Sequence, residues 1–167
     1  MHLVENRMDN NTFTREQAVE YVRKAIDDRA TWFYLLLKEA SAAGLDEESL
    51  ARKAIFQFGC LKGGKLKETD DLREFMGQFA SEVSKGVFEM DLREVSSDRA
   101  VLEFNYCPLV ECWRRLGCDQ TETDRLCDWA MEGDRGIMSK FSAFKLDIQS
   151  RIGAGDKCCR LVFSKVD

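Results

Sequence analysis

Cysteine is the residue type best placed to do chemistry in this 167-residue sequence, which has seven, six of them between positions 107 and 159. A thiol can attack an electrophilic carbon, hold a soft metal or form a disulfide, according to its pKa and neighbours. No Cys-x-x-Cys occurs, so neither a thioredoxin-type motif nor a zinc ribbon is indicated. The single histidine is His2, in what reads as a loose tail. That argues against Cys–His and Ser–His–Asp arrangements and against a histidine-rich metal site. General acid–base work therefore falls to Asp, Glu, Lys, Tyr or Cys.

Four positions stand out. Cys107 sits at a strand end before Pro108, with a helix N-terminus following, a field that lowers a thiol pKa. Strict alternation puts it on the face of Glu103 and Asn105, opposite Leu102, Phe104 and Tyr106. Either Pro108 bends it inward, or it lies outside the core-facing pocket as a partly buried structural thiol. Cys127, Met131, Asp134 and Met138 share one stripe at helical spacing, which makes Asp134 a carboxylate on an apolar face. Such an acid needs a partner or a purpose, and burial raises its pKa. The competing expectation is a structural ion pair with an arginine such as Arg151. Two helical turns, ~10 Å, separate Cys127 from Asp134, so they can line one pocket without touching. Cys159 points inward with Leu161 and Phe163, and Cys158 outward with Arg160. A bond between these neighbours would strain the backbone, so two independent thiols are expected.

The elements that must position these residues follow from periodicity. Thr14 and Gln17 form a capping box for a helix running to about Ala43, and Gly44 stops it. A second helix is expected from Asp46 to Phe58, with Gly59 and Gly63–Gly64 as a turn. A third runs from near Thr69 to Gly86. The period then becomes two: strands around Phe88–Leu92 and Val101–Tyr106 make a hairpin across Ser96–Asp98. Two more helices, Leu109–Leu116 and about Thr121–Phe141, precede a second hairpin, Phe144–Ile148 and Cys159–Phe163. Gly133 and Gly136 inside the last helix imply a close approach of a strand or ligand, or a break. The expected fold is α+β: an antiparallel sheet of about four strands packed against helices, in the order ααα-ββ-αα-ββ. One domain over residues 14–167, preceded by a flexible tail over 1–13, accounts for the length.

Composition limits the partners. Net charge is −5, and the one basic cluster, Lys62, Lys65 and Lys67, runs straight into Glu68, Asp70 and Asp71, so nucleic acid is not expected. The densest apolar run, Trp32 to Leu37, is far short of the roughly 20 residues of a membrane span. The N-terminus has no apolar stretch of the signal-peptide kind, and an odd number of cysteines without one points to free thiols in the cytoplasm. A small-molecule substrate or ligand is the expected partner, with a homodimer as an option for assembly.

Three stretches carry a resemblance: Cys107–Pro108–Leu109–Val110–Glu111–Cys112–Trp113 with Leu116–Gly117; Leu126–Cys127–Asp128 through Gly133–Asp134–Arg135; and Gly155–Asp156–Lys157–Cys158–Cys159 leading to Phe163. Together they resemble the L-2-amino-thiazoline-4-carboxylic acid hydrolase family. The resemblance implies a hydrolase that opens a cyclic amidine-like thiazoline to a carbamoyl-cysteine, with Cys107, Cys127, Asp134 and Cys159 as the matching positions. Under that reading Cys107 attacks, or holds a metal that activates water, and Asp134 is the acid–base group. Arg114, Arg135 or Arg151 would take the substrate carboxylate, with Trp113 beside it. A rival reading is a ligand-sensing domain similar in layout to the vinyl-reductase type, in which a small molecule or a cysteine-held zinc ion sits without turnover.

Overall fold

The computed structural model describes residues 13–166. The tail expected over residues 1–13, His2 included, lies outside them except for Phe13, whose ring meets Tyr21 edge-on at 5.3 Å. Helix α1 is Arg15–Ala42, and Thr14 and Gln17 cap it reciprocally at 3.2 and 2.9 Å, as the sequence predicts. Helix α2, Glu47–Gly63, starts where the Asp46 carboxylate accepts the Ser49 amide. It does not stop at Phe58. Gly59 is buried within it, because a short helix later in the chain packs there backbone to backbone.

The expected third helix is two, α3 (Leu72–Phe79) and α4 (Glu82–Phe88). Ala80 leaves helical geometry, and Ser81 starts a new helix by accepting the Ser84 amide on its hydroxyl. An N-capping serine inside an apolar stripe competes with helix continuation, and here the cap wins. Gly86 does not end the helix. A Cβ there would come within 2.6 Å of Val19, so it marks where α4 crosses α1.

Strands β1 (Met90–Val95) and β2 (Arg99–Phe104) form the first hairpin, and β3 (Phe144–Ser150) and β4 (Cys159–Lys165) the second. The two join through β2 and β4 into a four-stranded antiparallel sheet, ordered β1-β2-β4-β3. Leu102 lies opposite Leu161, Ala100 opposite Phe163, and Phe104 opposite Cys159. These residues face the helices. On the other face, Arg93 at 2.6 Å and Arg160 both bond Glu103. Phe75 of α3 lies between sheet and helices, its ring centroid 4.8 Å from Phe141, 5.8 Å from Phe144 and 5.7 Å from Phe163. Burying one such ring contributes about 1.5–3 kcal/mol. The α+β layer expected from the sequence is the observed one.

Helices α5 (Pro108–Arg115), α6 (Gln120–Ala130) and α7 (Glu132–Met138) connect the hairpins. The expected long C-terminal helix thus breaks at Met131. The reason lies across the interface: a Cβ on Gly59 would sit 2.1 Å from the Gly133 carbonyl, and one on Gly136 would sit 2.2 Å from the Phe56 carbonyl. Gly133 and Gly136 serve the close approach of helix α2, not of a strand.

Candidate functional site

Strand β2 ends at Phe104, two residues before the alternation predicts. The Asn105 and Tyr106 amides instead donate to the Glu89 and Phe88 carbonyls, at 3.2 and 3.1 Å. The Tyr106 ring turns out under the Arg23 guanidinium, 4.2 Å from its centroid. That shift in phase returns Cys107 to the inside, where it is 8% exposed and precedes Pro108 at the first position of α5. The face conflict in the sequence disappears because the strand ends early.

Cys107, Cys127, Asp134 and Cys159 all line one cavity of about 370 Å³, enclosed by Trp113, Phe104 and residues of α1, α2, α6 and α7. This is at the small end of the range for ligand pockets, sized for a metabolite. Cys159 holds its place at the start of β4, where its sulfur accepts the Ile152 amide at 3.3 Å. Cys127 presses against the 3₁₀ turn Ile152–Ala154 so closely that a Cβ on Gly153 would stand 2.2 Å from the Cys127 Cβ. Trp113 is fully buried, and its indole N–H donates to the Ala30 carbonyl at 3.2 Å, so its ring serves as wall.

The thiols differ electrostatically. Burial pushes the Cys107 thiol up to about 12, and the Val110 and Leu109 amides offset this only in part. Cys107 is therefore neutral at physiological pH, contrary to the helix-terminus expectation, because desolvation outweighs the local dipole. Cys127 is the thiol whose anion is favoured: the Cys159 S–H, the Gly153 amide and the Arg151 charge all lower its pKa against burial. Cys159, as the donor in that contact, is raised. Burial also pushes the Asp134 carboxyl up to about 7, with only partial relief from Arg135.

The arginines read as carboxylate binders lie elsewhere. Arg151 bonds Asp124 at 2.6 Å and Asp128 at 2.7 Å, not Asp134. Arg135 pairs with Glu132 at 2.8 Å, and Arg114 with Glu111 at 2.8 Å and the Ile152 carbonyl. With Arg52, which bridges Glu48, Asp128 and Glu132, they tie α2, α6, α7 and the 3₁₀ turn together. The cations that line the cavity are Arg29 of α1 and Lys62 of α2, at 5.8 and 5.9 Å from the Phe58 ring centroid. Burial lowers the Arg29 pKa, yet a guanidinium stays charged at neutral pH. No feature of the sequence separates Arg29 or Lys62 from other charges on amphipathic helices.

Among the described residues, no group of three or more His, Cys, Asp or Glu side chains is arranged to hold a metal ion. The cavity thiols do not form the tetrahedral ligand set that zinc takes, so no step below passes through a metal. All seven cysteines are free thiols, and no described helix is long and apolar enough to cross a membrane.

The cavity thus joins an apolar wall to three thiols, one carboxyl and two basic side chains. The chain belongs to the L-2-amino-thiazoline-4-carboxylic acid hydrolase family, whose model matches residues 6–163. No curated protein matches it in sequence.

Proposed function

We propose that this protein is a hydrolase opening the ring of a small cyclic amidine that bears a carboxylate, of the 2-amino-thiazoline-4-carboxylate kind. The observation that carries this reading is the charge content of the cavity: half-buried Asp134 and the exposed Arg29 and Lys62 line the same space. A zwitterion with an amidinium at one end and a carboxylate at the other matches those charges. Family membership supports the same substrate class.

In this mechanism Asp134 carboxylate accepts a proton from water as the oxygen attacks the amidinium carbon. A tetrahedral adduct forms. Asp134 then gives that proton to the ring sulfur as the carbon–sulfur bond breaks, and the adduct loses its hydroxyl proton to solvent and collapses to a urea-type carbonyl, leaving a free thiol. A pKa of about 7 suits a group that must both take and give a proton near neutrality. Cys107, as a neutral thiol, shapes the wall and offers a weak S–H donor to the reacting centre, while Cys159 keeps its S–H directed to Cys127.

A second reading rests on the lowered pKa of Cys127: its thiolate, rather than water, attacks first, and water then releases the covalent adduct. Purified protein incubated with 2-amino-thiazoline-4-carboxylate should yield a carbamoyl product by mass spectrometry. Asp134→Asn should abolish it. If Cys127→Ser turns over at the wild-type rate, the thiolate route is lost and the water route stands. Absence of turnover by wild-type protein on this and related cyclic amidines would sink the hydrolase reading.

A further inference from the structure

We infer that the outer face of α1 and α2 is the contact surface of a homodimer, and that the second copy covers the mouth of the cavity. The core side of α1 is given by Ile26, Ala30, Leu37 and Ala40. On the flank turned toward α2, Trp32 is 74% exposed and Leu36 66%. On α2, whose buried Ala51, Gly59 and Gly63 face inward, the outer side carries Leu50 and Leu61, 45% and 70% exposed, and Phe58, 43% exposed, stands beside α1. The Arg29–Phe58 contact shows that the two flanks adjoin.

These five side chains expose roughly 600 Å² of apolar surface, at the upper limit of what a monomeric protein leaves uncovered. It is also close to the apolar share of the roughly 800 Å² that each partner buries in a standard interface. The charges around the patch favour a second copy over another partner. Glu39 and Asp46 lie exposed at the end where α1 turns into α2, whereas Arg29, Lys62 and Lys65 lie at the other end. A two-fold axis across the helices sets the acidic end of each copy against the basic end of the other, so the face is self-complementary. Phe58 belongs both to the patch and to the cavity lining, and Arg29 and Lys62 lie near it. Pairing through this face therefore closes the side by which solvent reaches the thiols and Asp134. The contact itself is independent of the proposed reaction; only its role in closing the site rests on that reading.

The test is sedimentation of the full chain, with tryptophan emission recorded across a dilution series. Trp113 and Trp129 are buried, so a change in emission on dilution reports Trp32. Wild-type protein should sediment as two chains and shift to longer wavelength as it dissociates. Trp32→Glu and Leu61→Glu should sediment as one chain, with unchanged far-ultraviolet circular dichroism; Lys145→Glu, on the exposed sheet face, should remain dimeric. Wild-type protein that is monomeric at all concentrations would overturn the proposal. So would a dimer that survives both α1–α2 substitutions, or one lost equally in Lys145→Glu. If the dimer is confirmed and the hydrolase reading holds, the monomeric variants should show at least a tenfold rise in KM. Sedimentation remains decisive even if no turnover is found.

Discussion

At the scale of single residues, the acid–base role proposed for Asp134 stands against the stability of the fold. Its folded pKa of about 7 lies above the roughly 3.9 of an unfolded aspartate. Below the lower value both states are protonated and the group is neutral to stability. Between the two, the folded state holds the extra proton, so stability falls as pH rises and the full penalty is present above about 7. Asp134→Asn removes the penalty: in urea melts the variant should be more stable than wild type by roughly 1–3 kcal/mol at pH 8 and indistinguishable from it at pH 4. The same substitution should lower turnover by about 100-fold or more. For the wild type, kcat/KM should rise with pH through about 7, because the attacking step needs the carboxylate. Under the proposed mechanism Arg29→Ala should raise KM by about tenfold with little change in kcat, since there its charge would serve binding and not the bond-breaking step. A wild-type KM in that variant would remove Arg29 from the site. The sequence shows Asp134 because an acid on an apolar stripe is anomalous; it hides Arg29 because an arginine on a long amphipathic helix is not.

At the scale of elements, glycine is where sequence and structure part most. Gly59 and Gly86 read as stops, and Gly133 and Gly136 as a close approach of a strand or ligand or a break, yet all lie in helices, and Gly59, Gly133 and Gly136 mark one backbone-to-backbone crossing of two helices. Periodicity along one segment carries no information about what crosses it sixty residues away, so the reading defaults to chain termination. Gly59→Ala should therefore destabilise by about 2–4 kcal/mol, the range for a core clash that side-chain motion cannot relieve. Gly77→Ala in α3 is the contrasting case: a Cβ there meets nothing within 4 Å, and helix propensity should stabilise it by about 0.5–1 kcal/mol. Chemical denaturation of the two variants beside wild type measures both signs. The hairpins, by contrast, are legible because alternation and turn residues are local signals. Strand β2 fails only at its end, where Tyr106 leaves the ladder for Arg23, a contact made across the fold.

At the scale of the whole molecule, the fold brings Cys107, Cys127, Asp134 and Cys159 into one cavity from a strand exit, two helices and a strand start. The family motifs mark all four places in the sequence but not their convergence. That depends on the sheet order and on the ion-pair cluster around Arg52 and Arg151. Hydrogen exchange should place the slowest amides at Val101–Phe104 and Leu161–Phe163, the strand pair flanked on both sides. Faster exchange there than in β1 or β3 would contradict the central position of that pair. The same junction has a consequence during synthesis. The first hairpin leaves the ribosome with β2 presenting a bare, strongly apolar edge, and β4, its natural neighbour, is translated only after α5, α6, α7 and β3. For that interval nascent chains on neighbouring ribosomes can pair edge to edge. Slowing translation over α5–β3 should therefore lower soluble yield even though every element is intact.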